Sequence, residues 1–356
     1  MLQSKPHRRR IARLMATIAC LAVCGLMTTA PFGSAATADE KVTIDWWLPT
    51  GDPATEAAVA DAFKAKTGHT VKPYQDTNAP LVQKIYAAYQ RKESPDVIFI
   101  TNPSDIDAFV KAKMLLEYTP GPVTKDYPKE LKSYAPYAYP YALITFGVAY
   151  NSNAIAPATT NFATISDMLN PAYKGKFGMT DPAVVGGMVS ILFAMRENMG
   201  EASYVNFLKG LAEIKPKFYT SNYPLANAIT SGELSLGFIF DQAANAQVKV
   251  GAPVAFAYPK DAPAAYGLAA IPANAKNIEV AKQFMDFLTS SEGQQLWSNT
   301  YGDTPANPLA VPLVKKDMTA KPWFRQPGSL AYLTTSPTTD QQKALVKQFG
   351  EIVKGN

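Results

Sequence analysis

The sequence predicts an α/β protein of two lobes, on three observations. Apolar, strand-like runs alternate with stretches of helical periodicity from residue 42 onward, which argues sheets with parallel strands. The same syntax starts again after residue 166. Between the two, the run Ala142 to Asn151 (ALITFGVAYN) is long for one strand and reads as the crossover from one lobe to the other.

Residues 1–38 stand apart. Lys5, Arg8, Arg9, Arg10 and Arg13 precede an apolar run from Leu14 to Met27, and Ala36-Thr37-Ala38 offers a cleavage pattern before Asp39; this predicts a cleaved secretory signal peptide and a periplasmic mature chain. A membrane anchor needs about 20 apolar residues, and this run is shorter. Val23 before Cys24 argues against a lipoprotein, and the route stays open between general secretion and twin-arginine export.

The whole chain has 34 Lys+Arg and 29 Asp+Glu; the leader holds five basic and no acidic residues, so the mature chain is balanced. That removes the electrostatic case for nucleic acid or a membrane surface as partner. Cys20, Cys24 and His7 leave with the leader, so a Cys nucleophile, a Cys/His zinc site and a multi-His metal centre are excluded. His69, after Lys66-Thr67-Gly68, is expected on the surface beyond a helix C-cap. Residues 39–356 suffice for two domains with cores that need no disulfide.

In order, Val42 to Leu48 suits a buried strand, and Asp52-Pro53 opens a helix to Lys66 with Val59, Ala62 and Phe63 on its apolar face. Thr70 to Tyr74 is a strand, and Ala79 to Arg91 a helix with Leu81, Val82, Ile85, Tyr86 and Tyr89 at helical spacing. Val97 to Ile100 is a strand, followed by Thr101-Asn102-Pro103 and a helix bearing Ile106, Phe109 and Val110. Tyr118 to Pro140 shows little periodicity; Tyr127, Tyr134, Tyr137 and Tyr139 suit packing under an irregular loop or the lining of a cleft.

In the second lobe Ser166 to Leu169 is a short helix and Gly178 to Thr180 a strand. Asp181-Pro182 opens an apolar helix in which Gly186-Gly187 would admit close neighbours, and Tyr204 to Leu211 is helical. Tyr219 to Asp241 reads as a loop, a helix opening at Pro224, a turn at Gly232 and an apolar strand ending on a carboxylate. Pro253 to Tyr258 and Gly267 to Ile271 return as strands, and Ile278 to Leu288 is a helix.

One device recurs. Asp52-Pro53, Asn102-Pro103, Asp181-Pro182 and Tyr223-Pro224 each place proline at an expected helix start after a strand or its loop. Ligands of open α/β sheets bind beyond the carboxyl ends of the strands, where such helix starts present free N–H groups. The candidate ligand residues are therefore Thr50, Gly51, Asp52, Thr101 and Asn102 from one lobe and Thr180, Asp181, Ser221, Asn222, Tyr223 and Asp241 from the other. The alternative for each aspartate is a helix cap. No Lys or Arg lies in these loops, so an anion would rest on helix starts and hydroxyls, and a carboxylate nearby suits an amino group on the same ligand.

Four ordered segments, SPDVIFITNPSDIDAFVKAKMLLEY, VAYNSNAI, ANAITSGELSLGF and SSEGQQLWSNTYGDTPANPLAVP, resemble the solute-binding proteins of ABC importers, nearest in pattern to the ferric-iron, sugar-phosphate and 2-aminoethylphosphonate binders. The resemblance implies a type II periplasmic-binding-protein fold that closes on its ligand by hinge motion near Thr145 to Val148 and Pro259 to Gly267. It places the lobes at 39–144 plus 265–303 and at 145–264 plus 304–356. It also implies delivery to an ABC permease and ATPase in the inner membrane, a monomer, no catalysis, no cofactor and no nucleic acid. Ferric-binding members carry adjacent tyrosines after the strand that ends here at Phe240; this sequence has Asp241-Gln242 and no Tyr-Tyr pair. The expected ligand is a small phosphonate or phosphorylated compound, or a zwitterion, with ferric iron or a polyamine as alternatives and an exported hydrolase as the rival class.

Overall fold

The computed structural model describes residues 40–49, 51–156, 162–184, 186–310, 331–332 and 337–355. The leader and Thr50 lie outside the described residues. Three parallel strands, β1 (Thr43–Leu48), β2 (Thr70–Gln75) and β3 (Val97–Ile100), are joined through α1 (Pro53–Thr67) and α2 (Asn78–Gln90), and α3 (Pro103–Lys111) follows β3. Asp52 caps α1 through Thr55 N and Asn102 caps α3 through Ser104 N, with Pro53 and Pro103 at the first helical position as expected. All four residues of β3 are buried, as a strand covered on both faces must be.

After the short α4 (Gly121–Asp126) comes β4 (Ala138–Asn151), fourteen residues long, which is the crossover. The second lobe repeats the pattern with β5 (Phe177–Thr180), α5 (Gly186–Met199), α6 (Glu201–Glu213), β6 (Lys217–Tyr219), α7 (Asn222–Thr230), β7 (Leu236–Phe240), α8 (Asp241–Lys249) and β8 (Val254–Ala257). The chain returns through β9 (Pro263–Ala270) to α9 (Ile278–Thr289) and α10 (Ser291–Thr300). The two-residue β10 (Ala331–Tyr332) and α11 (Thr339–Phe349) come last.

Strand order is β2-β1-β3-β9-β4-β7-β5-β6, with β10 on β9 and β8 on β4. β4 pairs with β9 up to Thr145 and with β7 from Phe146, so one strand serves both lobes. The expectation of parallel strands needs correcting: strands joined through helices within a lobe are parallel, but β4 runs antiparallel to β7, β8 and β9, and β9 antiparallel to β3 and β4, with only β10 beside it in parallel. The result is a mixed α/β, two-lobed type II fold.

Two hydrophobic cores sit on either side of the crossing. The first gathers Ile44, Trp46, Phe63, Phe99, Tyr141, Phe284 and Trp297, with Trp46 edge-on to Phe99 at 5.0 Å between ring centroids. The second gathers Phe177, Met188, Leu192, Tyr204, Phe238 and Phe256, and takes Leu345 and Phe349 from α11. Each fully buried large side chain contributes roughly 1.5–3 kcal/mol.

Four local expectations change. His69 is buried, 2% exposed, and its Nδ1 accepts from Val42 N at 3.2 Å, because the entry to β2 lies against the entry to β1. Pro182 opens a turn and the helix starts at Gly186. Pro224 is the third residue of α7, which Ser221 precedes as N-cap. A Cβ on Gly187 would meet nothing within 4 Å, so it makes no close helix packing. Tyr127 and Tyr139 pack in the first core, where the Tyr127 hydroxyl donates to Pro140 O at 2.8 Å.

Candidate ligand site

The strands of the second lobe deliver α5, α7 and α8 with their N-terminal ends toward one cavity of about 250 Å³. Gly187 and Met188 line it from α5, Asn222 from α7, Phe240 and Gln242 from the junction of β7 with α8, and Ile144 and Phe146 from the crossover strand. Tyr301 and Asp303 enter from the segment after α10, which crosses back between the lobes. This segment meets β4 through an antiparallel bridge of Leu143 with Thr304. The volume lies near the lower end for small-ligand pockets, and walls that are mostly carbon with a few polar groups fit their usual make-up.

The polar side chains on this wall are Asn222, Gln242, Tyr301 and Asp303. Asn222 is 8% exposed and its Oδ1 has no hydrogen-bond partner among the described residues. Asp303 is 3% exposed, and its Oδ2 accepts from Trp297 Nε1 at 3.1 Å. Tyr223 stands at the rim, half exposed; burial first, then the charges of Asp303 and Asp52, raise its phenol, with Gln242 partly offsetting them. Beside Gly51 in the first lobe, Glu56 is buried, and its Oε1 has no partner among the described residues. Burial and then the charge of Asp52 raise its carboxyl. Among the described residues, no Lys or Arg lines the cavity.

The sequence-predicted residues divide accordingly. Asn222 lines the cavity and Tyr223 its rim. Gly51, at φ +133°, lies so close to Glu56 and Trp297 that a Cβ would stand 3.3 and 3.4 Å from them. Asp52 accepts from Thr55 N and Oγ1 at 2.8 and 3.1 Å, the cap alternative. Thr101 donates to Asn78, and Asn102 caps its own helix. Thr180 is fully buried, and Ser221 is the N-cap of α7. Asp181 receives Lys354 Nζ on both oxygens at 2.7 and 2.8 Å, in a cleft under the C-terminal helix. Asp241 is fully buried and accepts from Tyr258 at 3.1 Å and from Thr304, so Gln242, its neighbour, takes the cavity wall.

Sequence reasoning missed Gln242, Tyr301 and Asp303. The last two sit in the quoted stretch SNTYGDTP, where Gly302 at φ +112° marks an irregular turn. A larger hollow of about 710 Å³ lies beside Ile155, Asp167 and Tyr173. Its flank, residues 157–161, is outside the described residues, and Asp167 there already accepts from Thr164 N. Among the described residues no group of three or more His, Cys, Asp or Glu could hold a metal ion, and no helix is long and apolar enough to cross a membrane.

A family model described as bacterial extracellular solute-binding protein matches residues 58–326. The spermidine/putrescine-binding periplasmic protein of Escherichia coli K12 is 32% identical over 198 residues, 52% of this chain; the match spans 55% of that relative's length. The major ferric iron-binding protein of Neisseria meningitidis serogroup A is 27% identical over 283 residues, 74% of this chain and 81% of its own. Among solved structures, the periplasmic binding protein AfuA of Actinobacillus pleuropneumoniae, with fructose-6-phosphate bound, superposes at a TM-score of 0.61 and 18% identity. It covers 88% of this chain and 99% of its own, a likeness of fold.

Proposed function

Because the chain belongs to the bacterial extracellular solute-binding family, we propose that it is the periplasmic receptor of an ABC importer, taking up a small amine-bearing organic solute and handing it to a membrane permease. It would act as a monomer without catalysis, exported by its N-terminal leader. Its lobes would be 39–144 plus 265–303 and 145–264 plus 304–356, a division that the two separate cores support except at Ala306, which packs in the first core. One observation carries the ligand class. Among the described residues that line the cavity, Asn222 Oδ1 and the Asp303 carboxylate are acceptors and none is basic, which supports a ligand that brings N–H donors. Phe146, Phe240 and Met188 would take its alkyl part. The relative named for spermidine and putrescine supports the same class.

A second ligand, an aminoalkylphosphonate, is favoured by the three helix starts on the same cavity, which suit an anion while Asp303 takes the amine. Calorimetric titration of ligand-stripped protein with putrescine, 2-aminoethylphosphonate, inorganic phosphate and ferric citrate separates these. Binding of either amine, weakened about ten-fold or more in Asp303→Asn as a charge-assisted contact is lost, is the expected result. Binding of phosphate or ferric citrate alone would refute the amine class.

A further inference from the structure

Three side chains of α8, spaced four residues apart, meet three residues of the returning segment spaced two apart. Lys249 Nζ donates to Thr300 O at 2.8 Å, Asn245 Nδ2 donates to Gly302 O at 2.6 Å, and Thr304 Oγ1 donates to Asp241 Oδ2. Thr300 ends α10, Tyr301 is still helical at φ −88° and ψ −44°, and Gly302 at φ +112° turns the chain, so the three contacts hold an irregular turn; the intervening Tyr301 and Asp303 line the cavity. The backbone conformation of Gly302 favours glycine at this turn. Asp241 and Asn245 are buried, and none of the three α8 residues lines the cavity.

We propose that the α8 row Asp241, Asn245 and Lys249 is a positioning device for the ligand site, gripping residues 300–304 so that Asp303 and Tyr301 are presented to the solute. The effect on affinity rests on the amine receptor proposed above; the grip itself does not. Lys249 is exposed, so Lys249→Met removes one contact without disturbing the core, and Lys249→Arg keeps a donor there. Asn245→Leu removes the central contact.

Putrescine titration is combined with hydrogen exchange at residues 300–304 in the full chain. The expected result is a loss of affinity of about ten-fold in Lys249→Met and Asn245→Leu, wild-type affinity in Lys249→Arg, and faster exchange at 300–304 in the two weakened variants only. Wild-type affinity in both weakened variants, or an equal loss in Lys249→Arg, overturns the proposal. If putrescine does not bind the wild-type chain, the amine class falls on its own, and exchange then decides: unchanged protection at 300–304 in both variants overturns the grip, and faster exchange upholds it.

Discussion

Replacing Asp241 by alanine distinguishes a buried strut from a ligand contact. Tyr258 and Thr304, 1% and 3% exposed, both donate to Asp241 Oδ2. Their hydroxyls lie 3.2 Å apart, so without the carboxylate one can turn to the other, and losing the buried acceptor that they share costs about 1–3 kcal/mol. The space left by the carboxylate adds on the order of 1 kcal/mol, and relief from keeping a charge in the interior offsets part of the total. The expected loss is about 1–3 kcal/mol. With a urea m-value of about 3 kcal/mol/M, the unfolding midpoint should fall by roughly 0.3–1 M at unchanged slope. An unaltered midpoint together with abolished solute binding would refute this, since it would make Asp241 a ligand residue and its hydrogen bonds incidental.

Two further tests probe other parts of the molecule. Gly147→Ala would bring a Cβ to 2.5 Å from the Ala257 carbonyl in the shared strand, where backbone must give way; a loss of about 1–3 kcal/mol in urea unfolding is expected, and a neutral substitution would show that β8 can shift freely. The Glu56 carboxyl is raised above its ordinary value by burial and then by Asp52, so the folded chain holds that proton more tightly than the unfolded one. Its contribution is fully present below the unfolded value of about 4.3 and is lost as pH rises through the higher folded value. Glu56→Gln should flatten this decline, and parallel melting-temperature curves for the two proteins between about pH 4 and 7 would contradict it.

Much of the fold was legible because its signals are local. Proline after a capping Asp or Asn marked the starts of α1 and α3, and the apolar run from Ala142 marked the crossover. The same proline rule misplaced two other starts. Pro182 enters a turn whose aspartate is engaged by Lys354, far along the chain, and Pro224 sits inside a first helical turn where its missing N–H does no harm. His69 misled for a related cause: nothing in Lys66-Thr67-Gly68-His69 announces that Val42 covers it. In the candidate site, Asn222 was named from a loop expected to open a helix at Pro224, and it lines the cavity as the first residue of that helix, whereas Gln242 and Asp303 depend on which way α8 faces and where the chain returns after α10. Those are long-range facts with no local periodicity to betray them.

The sharing of β4 between the lobes bears on the order in which the chain can be built. β3 has β9 as its partner on one side, and Ile98 to Ile100 find it only when residues 268–270 have been made. Until then an apolar strand keeps an open hydrogen-bonding edge, and the second lobe, though synthesised in between, uses β4 as a central strand. Neither lobe can be finished from a contiguous stretch of sequence. A nascent chain of this kind acquires its last contacts late, which prolongs the interval in which it is still unfolded and threadable.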